Sequence, residues 1–203
     1  MTRPETVADT RRAVAERNID AILNGAERLL LSGKVLNFSA VATEAAVSRP
    51  TVYAHFADRP QLIRALVERS VGEATDAMRS AEPDRGPADD ALRRVIAIGW
   101  EHMARHQAIA RAAISELSMD ALHEHHRRAE AVLEGLIGRG QNHGDFRDDL
   151  PASWLAASCL AVIHAAAATV ASGQMRPEAA AGALTTTVVD LCVGRRSGRK
   201  RLR

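Results

Sequence analysis

The chain is 203 residues long, with 46% apolar, 26% charged and 3% aromatic residues and a formal net charge of +2 at pH 7. That length holds one or two domains with a sizeable core, which excludes a wholly disordered chain, and the scarcity of aromatics leaves Ala, Leu, Val and Ile to build the interior, a composition that favours helix. Cys159 and Cys192 stand far apart with no CxxC or His-Cys cluster, which excludes a disulfide scaffold and a cysteine-based zinc site and fits a reducing, cytoplasmic setting.

In chain order, Met1 to Arg12 mixes Arg, Glu and Asp without an apolar run, so no signal peptide is expected and residues 1–14 read as a flexible arm. From Arg17 to Leu31, Ile19, Ile22, Leu23, Ala26, Leu29 and Leu30 fall at the spacing of one helix face, and Gly33 ends that helix. Three pieces follow, Ser39 to Ala46, Ser48 to Phe56 and Asp58 to about Ala81, each opening on a residue that can cap a helix. Asp58 with Gln61 three places later reads as a capping box. Pro83, Gly86 and Pro87 mark Glu82 to Asp89 as the expected domain boundary. Helical patterning resumes over Ala88 to His106, Ile109 to Leu117 and Met119 to Gly138, and Gly140 to Asp149 reads as a loop. Pro151 suits the first turn of a helix over about 152–172, and Pro177 opens a last one to about 193. Ala152 to Met175 carries no charge and is long enough to cross a bilayer, but its Ala, Ser and Thr content favours a helix buried in protein over a membrane span. No strand-like alternation appears, so the expected class is all-α.

Charge is divided unevenly. Residues 1–70 hold ten basic and eight acidic side chains, residues 71–194 eleven basic and seventeen acidic, and the tail 195–203 six basic and none acidic. A basic head, an acidic middle and a basic tail suggest that any polyanion meets the ends.

The stretch Phe38 to Leu62, FSAVATEAAVSRPTVYAHFADRPQL, carries the chemistry, because two short helices joined by Ala46-Val47-Ser48 form a helix-turn-helix. Ala42, Ala45 and Ala46 let the two helices cross closely, and Val47 can plug the turn. Val52 and Phe56, four apart, face inward with Val41, leaving Arg49, Thr51, Tyr53 and His55 outside. Ser48 as cap and Pro50 in the first turn aim the helix's positive end outward, toward a phosphate or a groove rim.

This segment resembles the DNA-binding head of the tetracycline-repressor (TetR) family. Phe38-Ser39 with Val41-Ala42 looks like the entry to that family's second helix, Ala45-Ala46-Val47-Ser48 like its turn, and Thr51 to Phe56 like its recognition helix, with Arg59 and Leu62 opening the fourth helix. Ala46 stands where the family usually has Gly, and Arg59 where it usually has Lys, so position 46 must tolerate a left-handed backbone or shift. Close likeness covers about Ile19 to Val71. It implies a three-helix reading head over 15–81, with its linking helix, and a helical ligand-binding and dimerisation bundle over 82–194, ahead of a basic tail 195–203. Tyr53 looks like the family's phosphate-contacting tyrosine. Arg49 and Thr51 are the candidates for base edges, and Ser39, Thr43, Ser48, Pro50, His55 and Arg59 for positioning on the backbone of double-stranded DNA. The resemblance further implies a non-enzymatic repressor, without cofactor or membrane, that binds a palindromic operator as a homodimer and is released by a small-molecule effector.

In the C-terminal part, Trp100, Met103, Met119, Leu122, Leu133, Trp154 and His164 are either core or the lining of an effector cavity, and His126, on the face of Leu122, Ala129 and Leu133, is either a core histidine or a polar anchor there. His123, His125 and His126, helped by the spacing of four between His102 and His106 on another helix, could suggest metal, but Glu124, Arg127 and Arg128 mark much of the face around His123 to His126 as solvated and favour surface histidines, so no metal is expected. Small residues at Ala156, Ser158, Ala165, Ala168, Ala180 and Ala183 suit close contact across a dimer axis through the last two helices, and Cys159 and Cys192 on them read as buried, inert thiols. Two rival readings remain. One is a ligand-independent helical regulator or adaptor. The other is a bundle enzyme holding metal on His102, His106, His123 and His126, against which stands the lack of Glu-x-x-His pairs.

Overall fold

The computed structural model describes residues 7–117 and 119–194, with side chains from Thr10 onward except those at 114 and 119–125. Met119 and Leu122 of the expected cavity, His123 and His125, and the basic tail therefore lie outside the described side chains. Among the described residues there are nine helices and no strand: α1 Val7–Leu31, α2 Phe38–Glu44, α3 Arg49–His55, α4 Arg59–Ser80, α5 Ala88–Arg105, α6 Gln107–Glu116, α7 Met119–His143, α8 Ala152–Ala171 and α9 Pro177–Val193. The all-α expectation holds.

The chain divides into two compact units, one of residues 1–69 with 108–119, the other of 70–107 with 120–203. The division thus falls inside α4, not at the Pro-Gly turn after it, and α6 joins the N-terminal unit. In that unit α1 packs on α2 and α3. Its core is Ile22, Leu29, Val41, Val52, Phe56, Leu62, Ile63, Leu66 and Ile109, each at most 5% exposed. Each such side chain contributes roughly 1.5–3 kcal/mol by leaving water. Between α4 and α1, Arg69 donates to Asn24 Oδ1 at 2.7 Å and to Glu27 Oε2 at 2.6 Å.

Three boundaries differ from the sequence reading. α1 starts at Val7, so 7–14 is helix and not arm. Apolar spacing reports burial, whereas this exposed turn rests on Ala content and pairs such as Arg12 with Glu16 at 2.9 Å. α2 is capped by Asn37, whose side chain accepts from the Ala40 N–H at 2.9 Å, and not by Ser39. α7 runs on to His143 through Gly140, where the Phe146 ring occupies the space a Cβ would need, and Gly144 at φ +78° ends it.

The second unit packs α5, α8 and α9 together with α7. Leu92, Ile96, Leu133, Leu136, Ile137, Leu155, Leu184 and Val188 form its centre, all at most 2% exposed. Cys159 and Cys192 are both buried here with their sulfurs 3.9 Å apart. The turn between α4 and α5 is held by two arginines. Arg94 donates to the carbonyls of Ala81, Glu82 and Arg85 at 3.2, 3.1 and 2.8 Å, and Arg139 to those of Pro83 and Gly86 at 2.8 and 3.0 Å. α8 is long and apolar enough to cross a membrane by length and composition, yet only 22% of its most apolar stretch is buried within the chain. The expectation of a helix buried in protein is therefore not met by this chain alone: Trp154 is 62% exposed, and Ala161, His164, Ala165 and Ala168 also face outward.

Candidate nucleic-acid interface

The turn between α2 and α3 forces Ala46 to φ +54°, the left-handed conformation its place in the motif predicts. Ser48 then starts α3: its Oγ accepts from the Thr51 N–H at 3.1 Å and lies 2.7 Å from the Thr51 hydroxyl. Pro50, in the first turn, has no N–H to leave unsatisfied. α3 consequently has two faces. Val52 and Phe56 are buried, at 0% and 5%, while Arg49, Pro50 and Tyr53 are exposed and Thr51 and His55 half-buried.

Tyr53 is held in place from two sides. Phe38 meets it edge-on with ring centroids 4.9 Å apart, and the Arg49 guanidinium sits 5.5 Å from its ring while Nη2 donates to the phenol oxygen at 3.3 Å. A phenol 49% exposed but braced by two neighbours loses little side-chain freedom on meeting a ligand. On α2, Ser39 and Thr43 are both exposed and one turn apart, Thr43 Oγ1 donating to the Ser39 carbonyl at 3.1 Å. The start of α4 completes the surface. Asp58 Oδ1 accepts from the Gln61 N–H at 2.8 Å, and Gln61 Oε1 accepts from the N–H of Ala57, one residue before the cap, at 2.6 Å.

Of the expected residues, Ser39, Arg49, Tyr53 and Arg59 line one open groove of about 450 Å³, together with Leu36, Asn37, Phe38, Ala57 and Asp58. Thr43, Ser48, Pro50, Thr51 and His55 lie outside that lining, with Ser48 and the Thr51 hydroxyl engaged in the cap. Arg59 has a partner that the sequence did not suggest, Glu116 of α6, 3.1 Å away. Asn37 also went unnoticed as a groove residue, although an Asn ahead of an apolar run is itself a capping signal. Glu116 left no such signal, because the pairing joins residues far apart in the chain.

In the second unit Trp100 and Leu133 are core, at 7% and 0% exposure, and Met103 packs against that core. His126 and His164 meet edge to face, ring centroids 4.7 Å apart. Trp154 stays on the surface and does not join them. His102 and His106, which the sequence marked only by their spacing of four, are not on the surface. They are 7% and 9% exposed, stacked with ring centroids 4.2 Å apart, because they continue the Val95, Gly99 face of α5 that is turned into the unit. Burial, followed by the neighbouring His106, holds the His102 imidazole below the usual histidine pKa, so its neutral form is favoured.

Among solved structures, the TetR-like regulator LfrR of Mycobacterium smegmatis in complex with proflavine superposes with a TM-score of 0.64 at 23% identity, covering 88% of this chain and 98% of that one. The transcriptional regulator FadR of Bacillus subtilis, in complex with stearoyl-CoA, gives 0.68 at 19% identity over 88% and 97% of the two chains. A TetR-family regulator of Marinobacter aquaeolei VT8 gives 0.66 at 16% identity over 91% and 100%. The chain has the fold of the TetR family. The resemblance read from Phe38 to Leu62 thus extends over the greater part of the molecule. Among curated proteins, the HTH-type transcriptional repressor LfrR of Mycolicibacterium smegmatis is 34% identical over 96 residues, 47% of this chain and 49% of that one. The match spans about half the length of that relative. No protein-family model matches the chain.

Proposed function

We propose that the chain is a TetR-type transcriptional repressor, cytoplasmic and non-enzymatic, that binds a palindromic operator as a homodimer and releases it when a small molecule occupies the second unit. The observation that carries the reading is the division of α3, with Val52 and Phe56 sunk in the core and Arg49 and Tyr53 braced on each other at the surface. Such a helix can enter a major groove without unpacking its own unit. Arg49 offers a two-pronged donor for guanine O6 and N7, and Tyr53, Ser39 and Thr43 offer hydroxyls to phosphate. The 34% identity to a repressor supports the same assignment.

The exposed apolar face of α8, with the adjoining α9, is the surface on which a second copy packs, setting two reading heads for half-sites about 34–36 Å apart. Solved neighbours bound to proflavine and stearoyl-CoA support an organic effector for this chain, held among α5, α7 and α8 near Trp100, Met103, His126 and His164. α4 runs unbroken from Arg59 to Ser80 through the division at 69/70, so a displacement of its second half is carried to the first. The test is binding to DNA flanking the chain's own gene, with salt varied. Sequence-selective binding that weakens at least tenfold in Arg49→Ala and Tyr53→Ala supports the reading, and weak binding indifferent to sequence and to both substitutions overturns it.

A further inference from the structure

Three potential ligand atoms from two helices converge within the second unit. Glu73 Oε2 of α4 lies 4.0 Å from His102 Nε2 and 3.9 Å from His106 Nε2, and all three atoms fall within 4.8 Å of one another. We infer that Glu73, His102 and His106 form a binding site for a divalent transition-metal ion of the zinc class, separate from the DNA surface and from the effector residues named above.

The His106 ring approaches the His102 carbonyl through Nδ1 at 3.0 Å, and because a carbonyl only accepts, Nδ1 is the donor there and Nε2 is the nitrogen turned to Glu73. His102 turns its Nε2 to the same carboxylate at 4.0 Å. That nitrogen is buried, has no hydrogen-bond partner, and belongs to a side chain only 9% exposed. An unsatisfied buried ring nitrogen facing a carboxylate is costly, and a cation between them removes the cost. The backbone carbonyl on the far ring nitrogen of His106 is the outer support that metal-binding histidines regularly have.

Geometry and composition select the ion. Ligands about 2.0–2.1 Å from a tetrahedral ion stand roughly 3.4 Å apart, so each carboxylate-to-imidazole distance needs to close by about half an ångström, and the two imidazole nitrogens, within 4.8 Å of each other on stacked rings, have to close further. A rotamer change of Glu73, 53% exposed, supplies the first movement and a ring rotation of the histidine pair the second. Two imidazoles and a carboxylate suit Zn²⁺ and its neighbours over Mg²⁺ or Ca²⁺, and the open side at Glu73 leaves a fourth position for water. Arg105, on this turn, is engaged by Glu101 at 3.1 Å. A bound ion ties the second half of α4 to the last turn of α5.

The experiment is a Zn²⁺ titration of the untagged, chelator-dialysed full chain against a chromophoric competitor, with Co²⁺ absorption as a second readout. One ion per chain, an intense four-coordinate Co²⁺ spectrum, and binding at least tenfold weaker in Glu73→Gln and in His102→Asn are expected, while a double His123→Asn, His125→Asn variant binds as the wild type does. Glu73 is exposed, so its substitution tests the site without threatening the fold. Substoichiometric binding, unchanged affinity in Glu73→Gln, or loss in the double variant alone overturns the assignment.

Discussion

Gly25 of α1 and Ala45 at the end of α2 are in backbone contact: a Cβ on the glycine would stand 3.0 Å from the Ala45 nitrogen and 3.1 Å from its Cβ. The helix-turn-helix is therefore seated on α1 through a missing side chain.

Gly25→Ala is expected to destabilise the chain by about 1–3 kcal/mol, since the methyl group meets backbone and α2 has to shift as a body. Urea unfolding reads this as a lower midpoint at unchanged slope. A neutral result would show that α2 yields freely at this crossing.

Ala46 is expected to respond in the opposite sense. Ala46→Gly relieves a left-handed alanine at φ +54° and should stabilise by about 1 kcal/mol, less the entropy that glycine adds to the unfolded chain. The same unfolding experiment checks it, with a rise in the midpoint as the expected sign.

The pair Arg59–Glu116 sets a competition for one guanidinium, 3.1 Å from a carboxylate on the same surface that would face phosphate. Glu116→Gln is expected to tighten operator binding two- to fivefold, in keeping with the ~0–1 kcal/mol of a partly exposed pair, and Arg59→Ala to weaken binding and flatten its salt dependence by about one phosphate contact. Equal binding by all three proteins would remove Arg59 from the interface.

Ala165, on the outward face of α8, tests the homodimer. Ala165→Glu places a charge where a second copy is to pack, and sedimentation should show a dimer becoming a monomer with unchanged helix content. A dimer that survives the substitution would place the contact elsewhere.

Local chemistry made much of this legible. Ser48, Val52 and Phe56 announce a capped helix with one buried edge, and Ala46 announces its own strained backbone. What the sequence hid was of two kinds. Exposed helix without an apolar stripe, as at 7–14, gives no periodic signal, and pairings across the chain, such as Arg59 with Glu116 or Glu73 with the His102–His106 pair, have no spacing to read. The α5 histidine pair was noted for its spacing of four, but its burial was not read. The relevant pattern was on α5, where Val95, Gly99, His102 and His106 recur at four, three and four.

The turn from Ala81 to Pro87 has the composition of a linker, yet five of its carbonyl oxygens accept hydrogen bonds from two guanidinium forks, Arg94 and Arg139. A protease must draw several residues of substrate into an extended strand before it can cut. Here that would require both arginines to let go together, so the bond after Arg85, in spite of its exposed basic side chain, should be among the slowest tryptic sites of the folded chain.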